Sequence, residues 1–179
     1  HFIDVGQGDS TLIQTPGGEN LLIDTGGRPE EFQTGTGTGD QVVSPYLRKL
    51  GVNRLDVLFL THPHEDHCGG AAYLIKNFPV DLVIASTTSA NLSNVEAFTG
   101  SPPNNDRKEN AAIPLGYHTL LKLMDEHGIE VQKVAAGDSI ELPELAIEVL
   151  WPEANNAVEG DAANNSSLVL KLTYGHSSF

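Results

Sequence analysis

Three histidines and one aspartate fall within six residues, at His62, His64, Asp66 and His67, a set we call the histidine cluster. Neutral imidazole nitrogens and carboxylate oxygens are ligands that Zn²⁺ and similar divalent ions take in proteins. Residues two apart in extended backbone point to the same side, so His62 and His64 can converge on one ion. Asp66 and His67 follow where the chain turns towards a helix, and they can face a second ion. We therefore predict one or two divalent metal ions here, with zinc the first candidate and manganese the second.

Two metal ions about 3.5–4 Å apart would polarise a substrate and hold a reactive hydroxide at neutral pH. We assign a catalytic role to Asp66, because its carboxylate could also orient that hydroxide. The alternative is a set of surface histidines in a loop between a strand and a helix. We give that alternative little weight, because a helix N-terminus disfavours imidazoles that can become positively charged. Neighbouring Cys68 is predicted to be a small buried residue.

The histidine cluster directly follows an apolar run, Leu55–Leu60, which predicts a buried strand that supports the site rigidly. A helix at 70–77 and a second apolar strand at 80–85 come next. This strand–helix–strand order predicts neighbouring strands joined by a crossover. Upstream, turns that contain Gly and Pro separate three short apolar runs, an order typical of an antiparallel meander, at 1–5, 11–15 and 19–25.

The rest of the chain predicts further helices and strands around this unit. Asp40 is expected to cap a helix that ends at Leu50. An apolar stripe at helical spacing predicts a helix over 114–127. Polar loops are expected at 86–112 and 152–165. Strands are predicted at 129–134, 139–142, 146–150 and 167–174, with a turn at 174–176 into a last strand.

The chain has 179 residues, which suits one domain, and a formal net charge of −14. This charge disfavours a strong grip on nucleic acid or anionic membrane, because phosphate binding depends on Lys and Arg. Apolar runs reach about six residues, far short of the ~20 that span a bilayer, so we expect no membrane contact from this segment. The single cysteine excludes an intrachain disulfide. We interpret residues 1–179 as one incomplete domain of a longer protein, of unknown cellular location.

The histidine cluster after its apolar strand, with Leu22-Ile23-Asp24-Thr25-Gly26 upstream, resembles the metallo-β-lactamase fold superfamily. The resemblance implies an α/β (α+β) fold, a four-layer αββα sandwich that is truncated here at the C-terminus. It places the metal site between the two sheets. By the same resemblance His62 and His64 bind the first metal, whereas Asp66 and His67 bind the second. Asp24 would support the site from the end of its strand.

Within the superfamily, the segments 2–10, 62–70 and 164–170 resemble the hydrolase domain of ComEC-type DNA-uptake proteins. The resemblance implies a metal-dependent hydrolase of phosphodiester or related ester bonds that processes DNA in competence. Its partner would be a nucleic-acid or small-molecule phosphodiester, and its parent a membrane protein. One departure from the superfamily pattern stands out. Asn164 and Asn165 occupy the place where a third metal-binding histidine is usual, and an amide oxygen is a weaker ligand.

Two alternatives stay open at this point. The first is a stand-alone esterase or phosphoesterase that acts on small molecules, since such enzymes share the same segments. The second is a degenerate domain that keeps the fold and binds a ligand or partner without catalysis, as the asparagines at the third ligand position suggest. A lactamase that hydrolyses antibiotics is disfavoured, because the Gly-Gln-Gly-Asp and Asn-Asn-Ser-Ser segments do not indicate one.

Overall fold

The structure is a computed structural model that describes residues 1–86, 114–154 and 162–179. All but the first residue of the predicted loop at 86–112 therefore lies outside the described residues. The described part folds into two β-sheets with helices on one side. Its strands are β1 Thr11–Gln14, β2 Asn20–Ile23, β3 Leu55–Leu60, β4 Val80–Ser86, β5 Glu130–Val134, β6 Ser139–Glu141, β7 Leu145–Trp151, β8 Val169–Tyr174 and β9 Ser177–Ser178.

The first sheet has the strand order β1-β2-β3-β4-β5. β1 pairs with β2 in antiparallel fashion, and the pairs β2–β3, β3–β4 and β4–β5 are all parallel. The predicted crossover is confirmed, because helix α4 (Ala71–Asn77) joins the parallel neighbours β3 and β4. β3 is apolar along nearly its whole length because a parallel strand in the middle of a sheet is covered on both faces.

The second sheet is antiparallel and has the order β6-β7-β8-β9. The buried residues of β7 alternate with more exposed ones, as expected where only one face of a sheet packs on the core. The predicted turn into a last strand is confirmed, since β8 and β9 form a hairpin around Gly175.

Two hydrophobic clusters hold these layers together. The first lies between the first sheet and helices α2 (Ser44–Lys49), α4 and α5 (Leu115–Glu126), with Leu58, Leu74 and Tyr117 fully buried. The second lies between the two sheets, where Phe59 of β3 packs among residues such as Ile147 of β7. The described residues thus form three layers in the order helix, sheet, sheet. Within them, no helix is long and apolar enough to cross a bilayer.

Two local predictions are wrong. Residues 1–5 make a single antiparallel bridge, from Phe2 to Thr11, and not a strand, because the turn after Asp4 ends the pairing at once. Asp40 does not cap its helix. A turn of π-helix, Gly39–Val43, precedes α2, and the Asp40 carboxylate accepts a hydrogen bond from the backbone N–H of Gly37 at 2.6 Å.

Three helices of a single turn complete the fold: α1 Glu31–Thr34, α3 Glu65–Cys68 and α6 Ala162–Asn165. The sequence predicted none of them, because four residues give too little periodicity to recognise. α3 carries half of the histidine cluster. α6 falls within the loop predicted at 152–165 and carries both asparagines at the third ligand position.

Candidate metal centre

The candidate site lies at the carboxyl ends of β2 and β3. These two strands are parallel neighbours, so the residues that follow them meet at the same edge of the sheet. The backbone N–H of Asp24 donates to the Phe59 carbonyl at 2.9 Å, which continues the pairing one residue past β2. This contact brings Asp24 beside Thr61, the residue that opens the histidine cluster.

Asp24 is the buried centre of a hydrogen-bond network. Its side chain is 2% exposed, and it accepts hydrogen bonds from the Thr61 backbone N–H at 2.9 Å and the Thr61 hydroxyl at 2.6 Å. The third donor is His67 Nδ1, 2.8 Å from Asp24 Oδ2. Asp24 also has a φ of 55°, a left-handed conformation that costs free energy in a residue other than glycine and often marks a functional site. Asp24 therefore lies one residue past β2 and contacts the histidine cluster, and its support of a metal centre stays a prediction.

Burial and hydrogen bonds act against each other at this pair. Burial raises the pKa of Asp24, and the hydrogen bonds from His67 and Thr61 counteract that rise. Burial by itself would lower the pKa of His67. The hydrogen bond to Asp24 and the negative charges of Asp24, Asp66 and Asp9 outweigh it, so the pKa of His67 is raised. The carboxylate therefore fixes the His67 ring and favours a proton on its Nδ1.

The three imidazole rings of the cluster lie together. The ring centroid of His62 is 4.0 Å from that of His67 and 5.0 Å from that of His64. α3 turns the chain so that residues after His64 come back towards His62, and the Cys68 thiol donates to the His62 carbonyl at 2.8 Å. Cys68 is fully buried, as predicted.

The hydrogen bonds assign the same tautomer to all three rings. His67 Nδ1 faces a carboxylate, which accepts, and His64 Nδ1 faces the Asn164 amide oxygen at 3.0 Å, which also accepts. The Thr61 hydroxyl donates its proton to Asp24, so its oxygen, 3.1 Å from His62 Nδ1, acts as the acceptor for that ring. Each Nδ1 therefore carries a proton, and on each ring Nε2 is the nitrogen whose lone pair can bind a metal.

Asn164 reaches the cluster from the second sheet. The Leu168 backbone N–H donates to the Thr61 carbonyl at 3.0 Å, and this contact fixes the segment after α6 against the end of β3. The Asn164 amide oxygen then faces Nδ1 of His64, and its predicted role as a metal ligand stays a prediction. The backbone carbonyl of Asn165 accepts a hydrogen bond from the Trp151 indole N–H at 2.7 Å.

The donor chemistry and the tautomers fit a divalent cation, but the coordination set is not assembled. Within residues 1–86, 114–154 and 162–179, no three His, Cys, Asp or Glu side chains are arranged to hold one ion. The His62 ring contacts both other rings, so the division of the cluster into two ligand pairs stays a prediction. Asp66 is half-buried next to a cavity and makes no side-chain hydrogen bond to another described residue.

Gln7 and Asp9, in the turn that precedes β1, also lie at the site. Asp9 Oδ2 is 3.9 Å from His67 Nδ1, and Gln7 lines the cavity beside Asp66. A β-carbon on Gly8, between them, would overlap the Asp66 carbonyl oxygen. The Gly-Gln-Gly-Asp turn therefore packs directly on α3. The signal was present in the sequence as two closely spaced glycines, which permit such a close approach of two backbones.

A two-sheet sandwich with a histidine cluster at one sheet edge defines a class of hydrolase-like domains. The residues 3–176 match the family described as the metallo-beta-lactamase superfamily, and the chain belongs to that superfamily. The predicted superfamily is thereby confirmed, and so is the predicted α/β fold class, of whose four expected layers the described residues form three.

Among curated proteins, the chain is 32% identical over 182 residues to ComE operon protein 3 of Bacillus subtilis (strain 168). It is also 38% identical over 85 residues to recombination protein 2 of Haemophilus influenzae, which covers 47% of this chain and 10% of that protein. The first match covers 97% of this chain but 20% of the relative, so the chain spans about a fifth of that relative's length. The predicted resemblance to ComEC-type proteins is confirmed by this match.

Among solved structures, a subclass B3 metallo-beta-lactamase isolated from a soil metagenome library superposes on the chain with a TM-score of 0.53. The sequence identity is 18%, and the match covers 96% of this chain and 54% of that one. A likeness at this identity shows the fold alone.

Proposed function

We propose that the domain is a metal-dependent hydrolase of phosphodiester or related ester bonds, with DNA processing in competence as its setting. The observation that carries this proposal is the shared tautomer of the three histidines. Three different partners, Thr61, Asn164 and Asp24, each take the Nδ1 proton of one ring. Histidines that bind a metal commonly donate their other ring N–H to an acceptor in this way, and the acceptor fixes the tautomer and the orientation of the ring.

The residues of the site have separate tasks in this proposal. His62, His64 and His67 would hold one or two divalent cations, zinc or manganese, with Asp66 as a further ligand. A bound cation supplies a Lewis acid that withdraws electron density from the scissile ester. Asp24 keeps the proton on His67 Nδ1 and orients the ring. Asp66, beside the cavity, orients the attacking water by accepting its hydrogen bond.

Support for the phosphodiester substrate comes from the relatives. Recombination protein 2 and a further relative, competence protein ComA of Neisseria gonorrhoeae, carry names that refer to recombination and competence. The net charge of −14 favours a role in cleavage over a role in gripping DNA, since few cations are available to bind a phosphate backbone. A small-molecule phosphoester remains the alternative substrate of the same chemistry.

A non-catalytic role is favoured by one observation. The Asn164 amide oxygen accepts the Nδ1 proton of His64, and no three-residue metal set is assembled within the described ranges. A domain of this kind would keep the fold and bind a partner without turnover.

Metal analysis combined with hydrolysis of bis(para-nitrophenyl) phosphate in Zn²⁺ and Mn²⁺ tests the proposal. The purified chain should bind metal and hydrolyse the diester. His62→Ala and Asp66→Ala should each lower both quantities at least tenfold, since loss of one metal-site contact is typically worth 10- to 100-fold. The matched controls are His127→Ala and Asp125→Ala, at the exposed C-terminal end of α5.

The outcomes separate the candidate functions. Metal binding with no hydrolysis would support the non-catalytic domain. If His62→Ala and Asp66→Ala leave metal content and hydrolysis at wild-type levels, the proposed metal centre is wrong.

A further inference from the structure

A cavity of about 590 Å³ opens beside the candidate metal centre, and its lining includes His64, Asp66 and the two loops 5–7 and 27–29. Its size is within the range of small-ligand sites. Because it adjoins two members of the histidine cluster, a substrate whose reacting bond lies at the cluster would place its neighbouring groups in this cavity.

Arg28 is the one permanently charged cation among the described residues that line the cavity. Glu65 and Asp66 supply negative charge at the same wall. Four of the other described cations lie in contacts away from the cavity: Arg54 pairs with Asp56 and Asp81, Lys122 with Glu126 and Lys171 with Glu148, while Arg48 packs over the Phe78 ring. No ion pair within the described residues involves Arg28, and its guanidinium donates to the neutral Gln41 side chain at 3.1 Å.

The backbone of Arg28 is fixed in place. A β-carbon on Gly27 would overlap the Glu65 carbonyl oxygen, so the loop at 27–29 lies directly on α3. The Arg28 backbone N–H donates to the buried Glu31 carboxylate at 2.9 Å. The same carboxylate also accepts from the backbone N–H groups of Thr38 at 2.8 Å and Gly39 at 2.7 Å. The backbone of Arg28 thus has a rigid base, and its exposed side chain is accessible to a ligand in the cavity.

We propose that Arg28 selects negatively charged esters, by binding the anionic oxygen of a phosphodiester whose ester bond lies at His64 and Asp66. The inference rests on the proposed function and adds the residue that would decide its substrate class. A guanidinium suits this task because its planar donors match two oxygens of one phosphate. In a chain of charge −14, an anionic substrate is repelled by the surface as a whole, so a cation in the cavity has a large effect on its affinity.

The test compares two ligands that differ by one methyl group and one charge. Methyl para-nitrophenyl phosphate is an anionic diester, and dimethyl para-nitrophenyl phosphate is its neutral triester. Dissociation constants for both are measured by phosphorus NMR titration of the chain with added Zn²⁺, and hydrolysis is followed separately. Arg28→Ala should raise the constant for the diester about tenfold, as loss of one charge-assisted contact predicts. The diester-over-triester preference should fall by the same factor, and Arg28→Lys should lie between.

Arg54→Ala is the matched control, because it removes the same charge at the opposite end of β3. That end is about 20 Å from the histidine cluster, at roughly 3.3 Å per strand residue. This variant should change the diester constant by less than about twofold, since exposed charges at that distance are largely screened. The Arg28 side chain is exposed, so circular dichroism should show Arg28→Ala folded.

The results distinguish the inference from the proposed function. If wild type binds the diester without hydrolysing it and Arg28→Ala weakens that binding, Arg28 is the anion-binding residue and the proposed hydrolysis fails. If wild type hydrolyses the diester and Arg28→Ala behaves like Arg54→Ala in both affinity and ligand preference, the role of Arg28 is refuted while the hydrolase stands. A wild type that prefers the triester also overturns the inference.

Discussion

Replacement of Asp24 in the metal-free protein separates its hydrogen bonds from its backbone strain. Asp24→Ala removes an acceptor used by three donors, two on Thr61 and one on His67. At about 1 kcal/mol for each net hydrogen bond, the free energy of unfolding should fall by about 3 kcal/mol. Part of this loss is returned, because the burial that raises the Asp24 pKa also makes its charge costly to keep.

Two further variants at the same position sharpen this prediction. Asp24→Asn keeps one acceptor for the Thr61 N–H and tolerates the left-handed backbone. Its free energy of unfolding should therefore fall by about 2 kcal/mol relative to wild type. Asp24→Gly makes no side-chain hydrogen bond but relieves the φ of 55°. It should therefore be about 1 kcal/mol more stable than Asp24→Ala.

Guanidinium unfolding in EDTA, followed by the fluorescence of Trp151, measures these differences. Trp151 is the single tryptophan, at the end of β7, so it reports loss of the second sheet. Wild-type stability in Asp24→Ala would refute the network as a source of stability. Equal stability of the Ala and Gly variants would refute the argument from backbone strain.

Three other predictions follow from contacts around the site. Gly27→Ala should lower the free energy of unfolding by about 2 kcal/mol or more in the same assay, because the new β-carbon meets the Glu65 backbone. The control is Gly17→Ala, whose β-carbon meets only the flexible Glu19 carboxylate. Its free energy of unfolding should stay within about 0.5 kcal/mol of the wild-type value. Cys68 is fully buried, and burial raises the pKa of its thiol. Iodoacetamide should therefore label it only after denaturation, which mass spectrometry can measure. Labelling of the native protein would contradict the packing. Glu31→Gln should lower the free energy of unfolding by about 2 kcal/mol. The amide N–H₂ would then face backbone N–H groups whose hydrogen bonds the wild-type carboxylate accepts. An unchanged unfolding midpoint would refute this prediction.

The strands around the site were predictable because their signals are local and strong. The apolar run Leu55–Leu60 is buried along nearly its whole length, and α4, which begins after Gly70, forms the expected crossover to β4. The predictions failed where the signal was short or ambiguous. Asp40 has the residue type of a helix cap, yet the turn of π-helix starts before it and its carboxylate binds Gly37 instead.

The sequence predicted the donor types of the site but could not pair them. His62, His64, Asp66 and His67 are neighbours in the chain, so their proximity was certain before any fold was known. Two of their hydrogen-bond partners are distant in sequence. His67 meets Asp24, 43 residues away, and His64 meets Asn164, 100 residues away. A parallel strand pair brings Asp24 to His67, and the packing of one sheet on the other brings Asn164 to His64. Neither of these contacts follows from a local sequence pattern.

The sequence by itself therefore determined the chemistry that this protein carries: three imidazoles and a carboxylate at the end of a buried strand, in a chain with few cations. Only the tertiary structure decided how that chemistry is presented. It put a proton on Nδ1 of each ring, through acceptors from three separate segments, and it placed Arg28 in the lining of the cavity that Asp66 also lines. The physical reason is that a tautomer and a charge position depend on which groups lie within about 3 Å, and the fold alone sets those neighbours.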